Sequence, residues 1–73
     1  MNYKRERFVV LAEKRMTRTI KEFRLIGNLA NKHNYSYTEQ DARRILSALE
    51  SELKLLRNRF LADDNRAKTV FKL

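Results

Sequence analysis

The residues of this chain that could do acid–base or metal chemistry do not stand in the arrangements such chemistry requires. Glu50 and Glu52 are two apart on an expected helix and diverge, so they share neither a proton nor a metal ion. Asp63 and Asp64 are neighbours at an expected helix end, where a polar stop is the ordinary explanation. His33 is the one histidine and lies among Lys, Asn and Tyr, with no second ligand or base beside it. There is no Cys, which excludes disulfides and thiolate metal sites. HExxH, Ser/His/Asp and Gly-rich phosphate-loop patterns are absent from the sequence. The expectation is a non-enzymatic protein with no catalytic residue, no metal and no cofactor.

What the chain does have is positive charge. Its 17 Lys and Arg against 9 Asp and Glu give a net charge of +8 and a pI near 10.3. The excess is uneven: residues 1–37 carry nine Lys/Arg against three Glu, a net of +6, and residues 38–73 carry eight against six, a net of +2. Such a balance suits nucleic acid, an anionic membrane surface or an acidic protein. Within the basic half, Phe8, Ala12, Met16, Ile20, Phe23, Ile26 and Ala30 follow one another at spacings of three and four, which makes one apolar helix face. Turning about 100° per residue, Arg7, Lys14, Arg18 and Lys21 cluster on nearly the opposite side, with Lys4 and Arg15 along one shoulder. Lys14 and Arg18 are like charges four apart, a mildly unfavourable arrangement, and Glu22 is placed to relieve Arg18. A solvated face and a phosphate-binding face both fit this pattern.

A second group mixes charge with aromatic rings. Lys32, His33, Asn34, Tyr35 and Tyr37 are the ingredients for stacking on unpaired bases. The competing reading, which we favour, is that the tyrosines pack on the end of a helical bundle, with Tyr37 stapling a helix start. Tyr3, Lys4, Arg5, Arg7 and Phe8 allow either a basic arm or a frayed helix start.

The elements that must position these groups are helices. Zero Pro, one Gly and 36% charged residues leave few places where a helix must stop. The class is all-α. The first helix is expected over 3–30, starting between Asn2 and Glu6, with Gly27 and Asn28 lowering propensity near its end. The polar stretch 31–38 connects it to a second helix over 39–62, which Thr38 caps and Glu39, Gln40 and Asp41 begin with an acidic first turn. Residues 63–73 form a polar break and a short tail carrying Val70, Phe71 and Leu73.

Assembly is the strongest signal. Ala42, Leu46, Leu49, Leu53, Leu56 and Phe60 repeat at four, three, four, three and four, with Leu46, Leu53 and Phe60 in one seam column and Ala42, Leu49 and Leu56 in the other. Ile45, Ala48 and Leu55 widen the apolar arc beyond that seam, and Leu11, Leu25 and Leu29 lie off the main stripe of the first helix. An antiparallel two-helix hairpin leaves such width uncovered. A core of 73 residues rarely supplies more than about 3–5 kcal/mol. A homodimer forming a four-helix bundle is therefore expected.

No apolar run approaches a membrane span, and Phe8 to Ala12 is too short for a signal-peptide core, so a soluble, cytoplasmic protein is expected. The stretch Arg24 to Asn31, with Asn34 to Thr38 and the helix that follows, resembles a group of short uncharacterised bacterial proteins, some from mobile elements. That resemblance spans most of residues 8–60 and implies a bacterial, intracellular setting. The two-helix layout is also similar to that of the Rop protein, whose dimeric bundle binds RNA, a likeness of architecture alone. The leading expectation is a small regulatory nucleic-acid-binding homodimer, with Arg7, Lys14, Arg18 and Lys21 on phosphates and Lys4 and Arg15 contributing. No helix-turn-helix pattern is present, so backbone or shape recognition of DNA or RNA is expected over base reading. The rival is a protein-interaction adaptor that docks through the outer arc of the second helix or the tail. Membrane-surface attachment is weaker, because the cations lie opposite the face needed for the core.

Overall fold

The computed structural model describes residues 2–62, and among them the protein is all-helical, with no strand. The first helix, α1, runs Tyr3–Asn28 and the second, α2, runs Glu39–Phe60. They belong to two units, one reaching to Ser36 and the other beginning at Tyr37. The expected tail, residues 63–73, lies outside the described residues.

α1 starts where Asn2 places its side-chain oxygen to accept the backbone N–H of Arg5 at 2.9 Å. This satisfies one of the free amides that open every helix. The start is thus a capped helix from Tyr3 onward, not an extended basic arm. At its other end α1 stops two residues before the expected position 30. Leu29, Ala30 and Asn31 donate to Ile26, Gly27 and Asn28, three residues back rather than four, so the chain tightens into a 3₁₀-like turn before leaving the helix. Gly27 does not cause that stop: it is helical, without positive φ, and a Cβ there would meet nothing within 4 Å. The connection is shaped by Asn31, whose side chain accepts from the His33 N–H at 2.9 Å while its carbonyl accepts from Asn34 and Tyr35, an Asx-type turn.

α2 begins as the sequence leads one to expect and with one partner more. Thr38 accepts the Asp41 N–H at 3.0 Å, and the Asp41 carboxylate accepts the Thr38 N–H at 2.9 Å. This reciprocal pair is a capping box in which Asp does the work usual for Glu or Gln. Tyr37, just before the cap, and Ala42, in the first turn, are both half-buried, as a staple across a helix start requires. The Glu39 carboxylate also accepts from the Arg43 guanidinium at 2.6 Å, one turn on. α2 ends at Phe60, with Leu61 donating back to Arg57 at 2.9 Å, two residues short of the expected 62.

Neither helix buries any residue. Ala42 and Leu49 of the seam are half-buried, whereas Leu46, Leu53, Leu56 and Phe60 are exposed, Leu53 by 54% and Phe60 by 68%. A helix in a protein draws most of its stability from packing its apolar face. Both helices thus carry apolar stripes that are largely exposed among the described residues.

Candidate nucleic-acid interface

α1 carries eight Lys/Arg against three Glu, a net of +5, while α2 carries five against four, a net of +1. The helical path of α1 runs unbroken through Arg7, Lys14, Arg18 and Lys21. A regular helix puts these four within about 60° of one another and spreads them over roughly 21 Å of its axis, at 100° and 1.5 Å per residue. All four are exposed, as are Lys4 and Arg15 on the shoulder. None of the six forms an ion pair with another described residue. The relief expected from Glu22 is not taken up, because no Arg18–Glu22 pair forms. The cations are consequently held together by the backbone alone, and their mutual repulsion is moderated by solvent and salt.

The ends of α1 sharpen this. Lys4 and Arg5 stand in the first turn, where the free N–H groups already present partial positive charge, with Glu6 as the acidic counterweight. No cation occupies the last turn. Arg5 leans instead over the Phe8 ring, 5.7 Å from its centroid, a cation–π contact that draws it to the apolar side. From the sequence Arg5 is one of the residues of a basic arm or a frayed helix start. Its neighbour at a spacing of three was the signal available.

The side of α1 that carries the cations is not purely polar. Leu25 falls at the angle of Arg7, and Leu11 and Leu29 fall beside Arg18. Leu25 is 58% exposed and Leu11 half-buried. The cationic stretch thus covers residues 4–21, and an apolar stretch succeeds it toward the C-terminal end.

In the connection Tyr35 is about half exposed and Tyr37 half-buried. The two rings belong to different units, and of the pair Tyr35 has the more open face for stacking. Among the described residues no three His, Asp or Glu stand close enough to hold a metal ion. Two concave places among the described residues are grooves along single helices, one lined by Met16, Thr19, Ile20, Phe23 and Arg24, the other by Glu52, Leu55, Leu56, Asn58, Arg59 and Ala62. Neither is an enclosed cavity of the kind that excludes water from a reacting substrate. No helix among the described residues is long and apolar enough to cross a membrane. What the surface of α1 offers chemically is a row of exposed guanidinium and ammonium groups, donors without acceptors, suited to oxyanions. No protein family, curated protein or solved structure matches the chain.

Proposed function

We propose that this protein is a small non-enzymatic nucleic-acid-binding protein of the bacterial cytoplasm. It works as a dimer of antiparallel helical hairpins, a four-helix bundle whose dimerisation covers the apolar stripes and leaves the basic face of α1 outward. Arg7, Lys14, Arg18 and Lys21 contact backbone phosphates, and Lys4 and Arg15 add to the field around them. Binding is to the shape and charge of DNA or RNA, because a single straight row of cations reads phosphates and not base edges. The observation that carries the reading is that all four cations of the row are exposed on one helix and none is neutralised by a described acid. A merely solubilising face is usually interspersed with both signs.

The test compares two charge-reversed variants with the wild type on mixed-sequence duplex DNA and on RNA. Lys14→Glu with Arg18→Glu should weaken binding roughly tenfold or more at moderate salt, with helicity unchanged. Lys54→Glu, on the polar side of α2, should change it much less. Equal losses from both would mean diffuse attraction to a basic protein, and absence of binding at low salt would refute the reading.

The exposed outer arc of α2 favours a second reading. Ile45 and Leu55 are 40% and 57% exposed, beyond the heptad seam, and an adaptor would dock an apolar partner there. Replacement of both by Ser would then abolish partner capture and leave DNA and RNA binding intact. The alternative docking segment, the tail from Val70 to Leu73, lies outside the described residues.

A further inference from the structure

The heptad seam of α2 has a chemistry of its own flanks that selects both its occupant and the direction of that occupant. With Leu46, Leu53 and Phe60 at the a positions and Ala42, Leu49 and Leu56 at d, the flanking e positions hold Arg43, Glu50 and Arg57, and the flanking g positions hold Ile45, Glu52 and Arg59. Arg43 is engaged with Glu39. Glu50, Glu52, Arg57 and Arg59 form no ion pair with another described residue, and all four are exposed. Charged groups on both edges of an open apolar stripe are the part of a helix surface that decides pairing.

Four self-pairings are open to this seam. In a parallel, in-register pair each g residue meets the e residue five positions on in the other chain, so Glu52 faces the partner's Arg57, and symmetry makes that contact twice. All six apolar layers are then filled. An antiparallel pair that keeps all six layers sets like against like: Arg43 faces the partner's Arg57, Glu50 the partner's Glu50, and Glu52 the partner's Glu52. Sliding the antiparallel pair by one heptad toward the C-terminal end repairs the charges, bringing Glu50 to the partner's Arg57 and Glu52 to the partner's Arg59, but strips Ala42 and Leu46 of partners in both copies. Sliding it the other way strips Leu56 and Phe60. Burying a leucine is worth several times an exposed ion pair, so the additional charge contacts of the slid arrangements do not compensate for the lost layers.

We infer that the occupant of the α2 seam is the α2 seam of a second copy of this chain, parallel and in register, with Glu52 and Arg57 paired across the interface. The inference rests on the dimeric part of the function proposed above and specifies its geometry. Parallel two-stranded coils favour Leu at d together with a β-branched residue at a; Leu49 and Leu56 meet the first condition, and Leu46, Leu53 and Phe60 do not meet the second, so the direction rests on the charges. Ala48 and Leu55, at positions turned away from the seam, stay available for a different helix.

The absence of Cys in the chain makes the test direct. Leu49→Cys in the full chain, oxidised after purification, should cross-link to itself almost completely, since equivalent d residues meet across a parallel in-register pair. Ser51→Cys, on the outer face, should not cross-link. Sedimentation of the reduced wild type runs beside it. A dimer in which Leu49→Cys fails to cross-link would overturn the parallel geometry and leave the dimeric reading standing, whereas a monomer over a wide concentration range would overturn both. Charge variants give an arm that does not depend on a core substitution. Glu52→Arg should weaken dimerisation roughly tenfold, and the swap Glu52→Arg with Arg57→Glu should restore it to within about threefold. A swap no better than the single variant would contradict the pairing.

Discussion

Glu39 and Asp41 stand in the first turn of α2 and Arg57 and Arg59 in its last, whereas α1 opens on Lys4 and Arg5 and closes without a cation. Both helices are capped by side-chain oxygens, Asn2 in one and Thr38 in the other. Only α2 adds the returning carboxylate of Asp41 and the Glu39–Arg43 pair. α2 therefore satisfies the helix at every level, from cap through dipole to side-chain pairs, and carries a net charge of only +1. α1, at +5, works against its own dipole and against itself along the row from Arg7 to Lys21. Departures from local rules concentrate where a protein needs something other than stability. We therefore propose α2 as the element of assembly and α1 as the element of recognition, and on that proposal substitutions in the two should separate accordingly.

The largest effect is expected in α2. Leu53→Asp would place a carboxylate in the seam, at a cost of several kcal/mol once a partner helix covers it. That is enough to unfold a domain of this size, so helical circular dichroism should be lost. Leu53 is 54% exposed in the single chain. Wild-type helicity and melting temperature in L53D would therefore show that no partner covers the seam.

A smaller effect tests the cap. Thr38→Ala removes the acceptor of the Asp41 N–H and disrupts the box, and should destabilise the protein by about 1 kcal/mol. Thermal melts at fixed protein concentration measure it, and nucleic-acid affinity at temperatures where the variant is folded should not move. A loss of affinity there would join the two roles that the comparison separates.

The smallest effect has opposite signs in two assays. Lys4→Glu puts an acid in the first turn of α1 and should stabilise the helix by roughly 0.3–1 kcal/mol. The same change removes a cation from the shoulder of the basic face and should weaken DNA binding severalfold at low salt. If the melting temperature falls, or binding improves, the account of α1 as a helix that trades stability for charge is wrong.

Particular residues show what the sequence made legible. Two helices and the start of α2 could be read because Thr38 and the acids after it are a local signal, complete within a few residues. Asp41 as the returning partner of the box was harder, since the usual residue at that place is Glu or Gln. Asn2 as the cap of α1 was obscured by the cations around it, although Asn is among the best capping residues. The apolar spacing predicts the end of α1 two residues too late, because Leu29 and Ala30 continue that spacing while their hydrogen bonds already reach back only three residues. Periodicity reports side chains, and a 3₁₀-like turn at a helix end scarcely disturbs them. The basic face followed from spacing, and the structure adds that its cations are exposed and that Glu22 leaves Arg18 unpaired. Which side-chain neighbours actually pair is decided by rotamer and solvent, which spacing does not encode.

If the row on α1 engages phosphates, as proposed, the salt dependence of binding to duplex DNA reports it. Neutralising three to six phosphates releases the counterions condensed on them, so a plot of log K against log salt concentration should be linear with a slope of about −3 to −5. In Lys14→Glu with Arg18→Glu the slope should shrink in magnitude by about 2. A wild-type slope near zero, or one that the double reversal leaves unchanged, would contradict the account.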